Sequence, residues 1–325
     1  MIVSKTPFRI SFFGGGTDFP EWYNENGGLV ISMAIDKHCY VSLRESPFAS
    51  SNYIVRYKKT EQVNTINKIE HPSVKNCYKF FNCNKKKLEL VHYADIPDRS
   101  GIGSSSSFTV GLLNCLYKIN NKLPKKRDLA LNAINIEQNL IKENVGSQDQ
   151  VIASYGGFNT IKFSKKKISV SKVNIPKKKI NYLTDSIVLL FTGFSRFSSD
   201  ISKFHKNNIK KNTNMLNEIL DIANETNYNL NKKGLNIEYF AKQLNENWKI
   251  KRKLSRYVTN DKIDYVYSYG LKNGAIGGKL LGAGGGGFIA FIVDPKYKKK
   301  FIKKLDKYLN VPISVDNNGS VIIYK

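Results

Sequence analysis

The first thirteen residues alternate: Phe8, Ile10 and Phe12 fall on one side of an extended chain, Arg9 and Ser11 on the other, the period of a half-buried strand. Runs rich in β-branched and aromatic residues predict strands over residues 29–45, 52–58 and 88–96, and further strands are expected at 158–163, 186–191 and 288–293. Apolar residues at three- and four-residue steps, Phe108, Leu112, Cys115, Leu116 and Ile119, predict a helix. A second amphipathic helix, 125–143, is entered through Pro124, and others are expected at 63–82, 200–230, 236–255, 261–272 and 296–309. A closing hairpin is predicted with Asn317, Asn318 and Gly319 at its turn. Patterning is weak over 164–182, which places a domain boundary there and divides the chain into 1–180 and 181–325. Helices clustered with antiparallel-type strands in each half give a two-domain α+β protein.

Three glycine-rich bends break this pattern: Gly14 to Asp18, Ser100 to Ser106 and Gly282 to Gly287. The middle one sits where a strand hands over to a helix N-terminus, whose unpartnered amides and dipole favour an anion. Its glycines admit a ligand close to the backbone, and its serines offer hydroxyl donors or a metal ligand. An ordinary P-loop would need Lys where Ser104 stands, and a dinucleotide fingerprint would need Gly or Ala at Ser106. From this segment alone a phosphate cradle and a flexible loop with a serine cap stand side by side. A second oddity is Glu137, which occupies the apolar stripe of its helix with Ala130, Ala133, Ile134 and Ile141, a costly place for an unmet carboxylate.

At 325 residues with 41% hydrophobic content the chain can bury real cores, which excludes wholesale disorder. No apolar run approaches a membrane span, and the N-terminus lacks the pattern of an export signal. The four cysteines form no CxxC pair, so a reducing cytoplasm is expected. The net charge of +26 invites a nucleic-acid hypothesis, yet the lysines lie in short scattered runs without interleaved aromatics. A solvated surface is the expectation, with no nucleic-acid and no membrane partner.

Taken together, Pro7 to Asp18, Ser100 to Ser106 and Gly282 to Phe288 resemble the three signature motifs of the GHMP kinase superfamily of galactokinase, homoserine, mevalonate and phosphomevalonate kinases. The segments Phe13 to Pro20, Val145 to Gln150, Tyr155 to Gly157, Thr192 to Arg196 and Gly277 to Gly282 are most similar to bacterial D-glycero-D-manno-heptose 7-phosphate kinases. The resemblance implies an N-terminal domain with a left-handed βαβ crossover, a ferredoxin-like C-terminal domain, and ATP with Mg²⁺ held between them.

Carried over residue by residue, it implies that Ser100, Gly101, Ile102, Gly103, Ser104, Ser105 and Ser106 wrap the ATP phosphates, and that Ser105 and Glu137 ligate Mg²⁺. Asp149 matches the catalytic aspartate, as base or as electrostatic residue, and Arg9 could offset charge at the reacting centre. Substrate contacts are expected from Gly15, Gly16, Thr17 and Asp18, and from Gly284, Gly285 and Gly286. Arg196 and Lys279 are candidates for a distal phosphate. The implied activity is phosphorylation of the C1 hydroxyl of heptose 7-phosphate, for nucleotide-activated heptose of capsule or lipopolysaccharide, by a monomer or homodimer. Two alternatives are a kinase of an unphosphorylated sugar such as fucose or galactose, and a non-catalytic nucleic-acid module. The latter gives no reason for carboxylates at Asp18, Glu137 and Asp149 beside phosphate loops.

Overall fold

The alternating N-terminal run forms β1 (Ile2–Phe13), and after the helix α1 (Pro20–Asn26) the long β2 (Gly28–Glu45) returns antiparallel along it. The computed structural model of the chain describes residues 1–98, 100–193 and 198–325. Pro7, which cannot donate to a ladder, sits at a register shift between Pro7 and Phe8. Beyond that shift every residue from Phe8 to Phe13 is buried, Arg9 and Ser11 included, so the strand has no solvent face there.

The chain continues through β3 (Tyr53–Arg56), β4 (Thr60–Val63), α2 (Pro72–Phe80) and β5 (Leu88–Ala94), with β3 and β5 paired in parallel. Next come α3 (Ser104–Ile119), α4 (Lys126–Ile134), a π-helical turn at Asn135–Leu140, α5 (Gln148–Tyr155), β6 (Phe158–Phe163) and β7 (Ile168–Lys172). Along its second edge β2 holds two partners in succession, β6 against Gly28 to Met33 and β5 against Cys39 to Glu45. Helix α3 packs on β1 and β2 through a nearly continuous buried surface from Ser106 to Leu116.

After α6 (Lys177–Ser186) the chain enters a second sheet with β8 (Ile187–Phe191). Four helices follow, α7 (Ser198–Asn207), α8 (Thr213–Lys232), α9 (Ile237–Lys251) and α10 (Asp261–Lys272). The sheet is completed by β9 (Gly277–Leu280), β10 (Phe288–Ile292) and, beyond α11 (Lys298–Lys304), β11 (Leu309–Val311). Its order, β11-β8-β10-β9 with every pair antiparallel, is the ferredoxin-like split arrangement. The wholly apolar β8 and β10 feed two cores at once. Ile187, Leu189, Phe288, Ala290 and Ile292 join the main core shared with the first sheet, whereas Val188, Leu190, Ile289 and Phe291 face α10 and α11.

The expected closing hairpin does not form. Asp316 caps its own turn, accepting from the amides of Asn318 (2.8 Å) and Gly319 (3.0 Å), and the following segment, β12 (Val321–Tyr324), pairs with β1 in the first sheet. The turn signal at Asn317 to Gly319 was genuine, but the chain before it already bridges β2, Val315 to Ile35, and the turn leads on to β12 within the same first sheet. The expected single helix over 200–230 is two helices, α7 and α8.

Candidate active site

The three glycine bends meet. The amide of Phe288 donates to the Ser100 carbonyl at 3.1 Å, which joins the end of the third bend to the start of the second. Gly101 lies against Leu281: it holds a φ of +80°, and a Cβ there would stand 2.7 Å from the Leu281 carbonyl oxygen. The first bend is fastened to the loop before α5, since the Ser147 amide donates to the Asp18 carbonyl at 2.9 Å. Gly101→Ala is therefore expected to lower the melting temperature by roughly 5 °C, the combined result of a left-handed non-glycine residue and a backbone clash. Thermal denaturation with and without an ATP analogue checks this. An unchanged melting temperature would show that the two bends are not packed as described.

Arg9 and Asp149 form the centre of the cleft. The guanidinium pairs bidentately with the carboxylate, Nε to Oδ1 at 2.8 Å and Nη2 to Oδ2 at 2.7 Å, while Nη1 donates to the Gly101 carbonyl at 2.6 Å. The Arg9 amide also donates to the Ile102 carbonyl at 3.1 Å. Arg9 is nearly inaccessible and the Asp149 side chain is 22% exposed, so the pair opens to solvent on the aspartate side. A Cβ on Gly103 would touch this pair, which places that bend directly over it. Asp149 lies in the first turn of α5, where a helix N-terminus favours an anion.

Asp18 is buried beside them. Its carboxylate accepts from the amides of Gly16 (2.9 Å) and Gln148 (3.3 Å), and a Cβ on Gly146 would collide with it. Burial, and after it the Asp149 charge, push its carboxyl above the usual range. Glu137 is wholly buried: Oε2 accepts from the Ser106 hydroxyl at 2.8 Å and from the Gln150 amide, while Oε1 has no partner. Burial, reinforced by Glu143, pushes its carboxyl up to about 7. The π-helical turn makes this geometry possible, because it adds a residue to the turn that carries Glu137 inward.

Several expected contacts take other forms. Ser106, not Ser105, is the serine joined to Glu137, and Ser105 is exposed. The Ser100 hydroxyl is engaged with the Pro97 carbonyl (2.6 Å), Ile102 is an apolar core residue, and Ser104 opens α3. Thr17 turns inward and bonds the Gly14 carbonyl at 2.8 Å, so it shapes its bend, whereas Gly15 and Gly16 sit at the bend's surface near Gln148 and His205. Gly285 is tied by its amide to Val258 (2.9 Å), with Gly284 against the same residue and Gly286 beside it. Lys279 is buried rather than free beside the glycine loop, and its ammonium donates to the Phe12 carbonyl at 2.7 Å and to Asn247 at 3.3 Å. Arg196 lies outside the described residues.

The comparisons with known proteins fit this geometry. Residues 72–157 match the family model described as GHMP kinases N terminal domain, and residues 229–311 match GHMP kinases C terminal. The chain is 30% identical over 320 residues to D-glycero-alpha-D-manno-heptose 7-phosphate kinase of Campylobacter jejuni, covering 94% of this chain and 93% of that protein. This chain belongs to the GHMP kinase family. It is also 24% identical to a bifunctional fucokinase/GDP-fucose pyrophosphorylase of Arabidopsis thaliana, over 96% of this chain and 32% of that protein. The crystal structure of a D-glycero-D-manno-heptose 1-phosphate kinase from Bacteroides thetaiotaomicron shares the fold, with a TM-score of 0.81, 23% identity and full coverage of both chains.

The GHMP kinase is thus a sugar kinase, and its two-domain α+β fold is that of the family. Two polar residues of the cleft were not singled out in the sequence. Gln150 meets Glu137, and its position directly after Asp149 could have marked it. Lys251 ends α9 and reaches the carbonyls of Leu280 (3.5 Å) and Gly282, but among so many lysines nothing sets it apart until the fold buries it.

Proposed function

We propose that this GHMP kinase transfers the γ-phosphoryl group of ATP to the C1 hydroxyl of D-glycero-D-manno-heptose 7-phosphate, giving the 1,7-bisphosphate and ADP. The observation that carries the proposal is the Arg9–Asp149 pair lying under Gly103 and beside Asp18, where all three glycine bends converge. The choice of sugar rests on the heptose 7-phosphate kinase relative.

In this reading the amides of the second bend and the first turn of α3 receive the nucleotide phosphates. Asp18, fixed by two backbone amides, accepts from a sugar hydroxyl and sets the ring's orientation. Asp149 receives a hydrogen bond from the attacking hydroxyl on a lone pair that Arg9 leaves free. As the new O–P bond forms and the bond to ADP breaks, the hydroxyl proton leaves toward Asp149 or the water it faces, and Arg9 offsets charge at the centre.

Magnesium fits the cleft. Among the described residues no cluster of three or more His, Cys, Asp or Glu could hold a metal alone. Glu137 nevertheless offers one open, buried oxygen beside the Ser106 hydroxyl, with Ser105 on the same helix turn, and Mg²⁺ is commonly held by one carboxylate plus substrate phosphates. Bound there with the nucleotide, it would neutralise charge on the phosphates.

An ADP-release assay over heptose 7-phosphate, heptose 1-phosphate, fucose, galactose and mevalonate tests the reading, with phosphorus NMR locating the new phosphate. Turnover is expected with heptose 7-phosphate and modification at C1. Turnover of fucose or galactose without turnover of any heptose phosphate would overturn the substrate assignment.

A further inference from the structure

Lysines at helix C-termini ordinarily extend into water, where they favour the dipole. Lys249, two residues before the end of α9, does so, pairing with Glu246 at 2.8 Å on the surface. Lys251 does the opposite. It is 9% exposed and sends its ammonium inward to the Leu280 and Gly282 carbonyls, at the entrance of the third glycine bend.

The charges around it do not balance. Arg9 comes from β1, Lys279 from β9 and Lys251 from α9; facing them are Asp18, from the bend after β1, and Asp149, from α5, with the imidazole of His205 on α7 near the rim. Asp149 is already taken by Arg9. Asp18 is met by two backbone amides, and among the described residues neither lysine has a carboxylate within ion-pair distance. Buried cations without a counter-ion are costly unless something supplies one.

We propose, on the sugar-kinase reading above, that Lys251 is a phosphoryl-receiving cation of this cleft, pairing with either the sugar's own phosphate or the phosphoryl group in transfer. Lys279, locked on Phe12 and Asn247 deeper in the protein, is its buried support. The protonation behaviour agrees: burial, then Arg9, push the Lys251 ammonium down to about 8, opposed by Asp18, and Lys279 is held well below the usual lysine range by burial and then by Lys251. At about 8 the group is already a cation at neutral pH; an arriving phosphate would hold its proton more tightly, and in the free enzyme its contribution fades as pH rises through about 8.

Lys251→Met and Lys251→Arg, assayed with whichever sugar the wild-type enzyme phosphorylates and with its phosphorylated or unphosphorylated counterpart, test this. Lys251→Met is expected to lower kcat/KM about 100-fold, with Lys251→Arg recovering at least tenfold of that and moving the basic limb of the pH profile upward. A loss confined to KM for the phosphorylated sugar assigns the ammonium to the sugar phosphate; an equal loss in kcat for both acceptors assigns it to the group in transfer. The proposal falls if Lys251→Met stays folded with both constants within threefold of wild type. It also falls if the two variants lose activity alike with an unchanged basic limb, the behaviour of a mere prop for the Gly282 turn. Neither result depends on the sugar being a heptose, which the acceptor panel decides separately.

Discussion

Asp149→Asn is expected to lower kcat about a thousandfold while leaving the fold and nucleotide binding intact. The substitution is isosteric, and the amide oxygen can still accept one hydrogen bond from Arg9, so the Gly101 contact of the same guanidinium is kept. What disappears is the negative oxygen aimed at the attacking hydroxyl, and the loss of such a group costs on the order of 10²–10⁴ in rate. KM for ATP should change little, because the second bend and α3 do not use Asp149. Steady-state kinetics alongside calorimetric titration with a non-hydrolysable ATP analogue separates the two effects. Retention of more than a tenth of the wild-type kcat would remove Asp149 from the reacting centre.

The cleft was legible in the sequence wherever a residue violated its local pattern. Glycine runs cannot continue a strand or a helix, and all three such runs are in the cleft. Glu137 broke an apolar stripe, and it is the wholly buried carboxylate that holds Ser106 and Gln150. The reach of Arg9 to Asp149, 140 positions apart, was not legible, because periodicity reports which face a residue occupies and never what stands opposite.

The elements that were misread share a cause. Strand β9 is Gly277-Gly278-Lys279-Leu280, a sequence of poor strand propensity held by pairing with β10, where a Cβ on either glycine would strike Ala241 or Phe291 and Ala290. Strand β7 and helix α6 lie in the lysine-rich stretch, where their partially buried faces leave no clear period. Lys251 is the extreme case. Its identity is the commonest polar type in the chain, and only the packing of α9 on β9 turns it from a surface charge into a buried one.

Glu137→Gln is expected to move activity and stability in opposite directions. For activity, the glutamine removes the one open carboxylate oxygen that fits magnesium, and loss of such electrostatic support costs on the order of 100-fold. For stability the sign is reversed. The Glu137 carboxyl, at about 7 in the folded protein against about 4.3 in an unfolded chain, binds its proton more tightly when folded. Its contribution is therefore most favourable below about 4.3, declines as pH rises to about 7, and stays unfavourable above, by about 4 kcal/mol at about 1.4 kcal/mol per unit. Glutamine carries no such cost, and its oxygen can keep accepting from Ser106 and Gln150. In chelator-treated protein at pH 8 the variant should melt roughly 5 °C above wild type, with the gap closing toward pH 5. Parallel melting curves across that range would mean that Glu137 is met by a cation or donor in the folded protein even without metal, and the metal assignment would lose its basis.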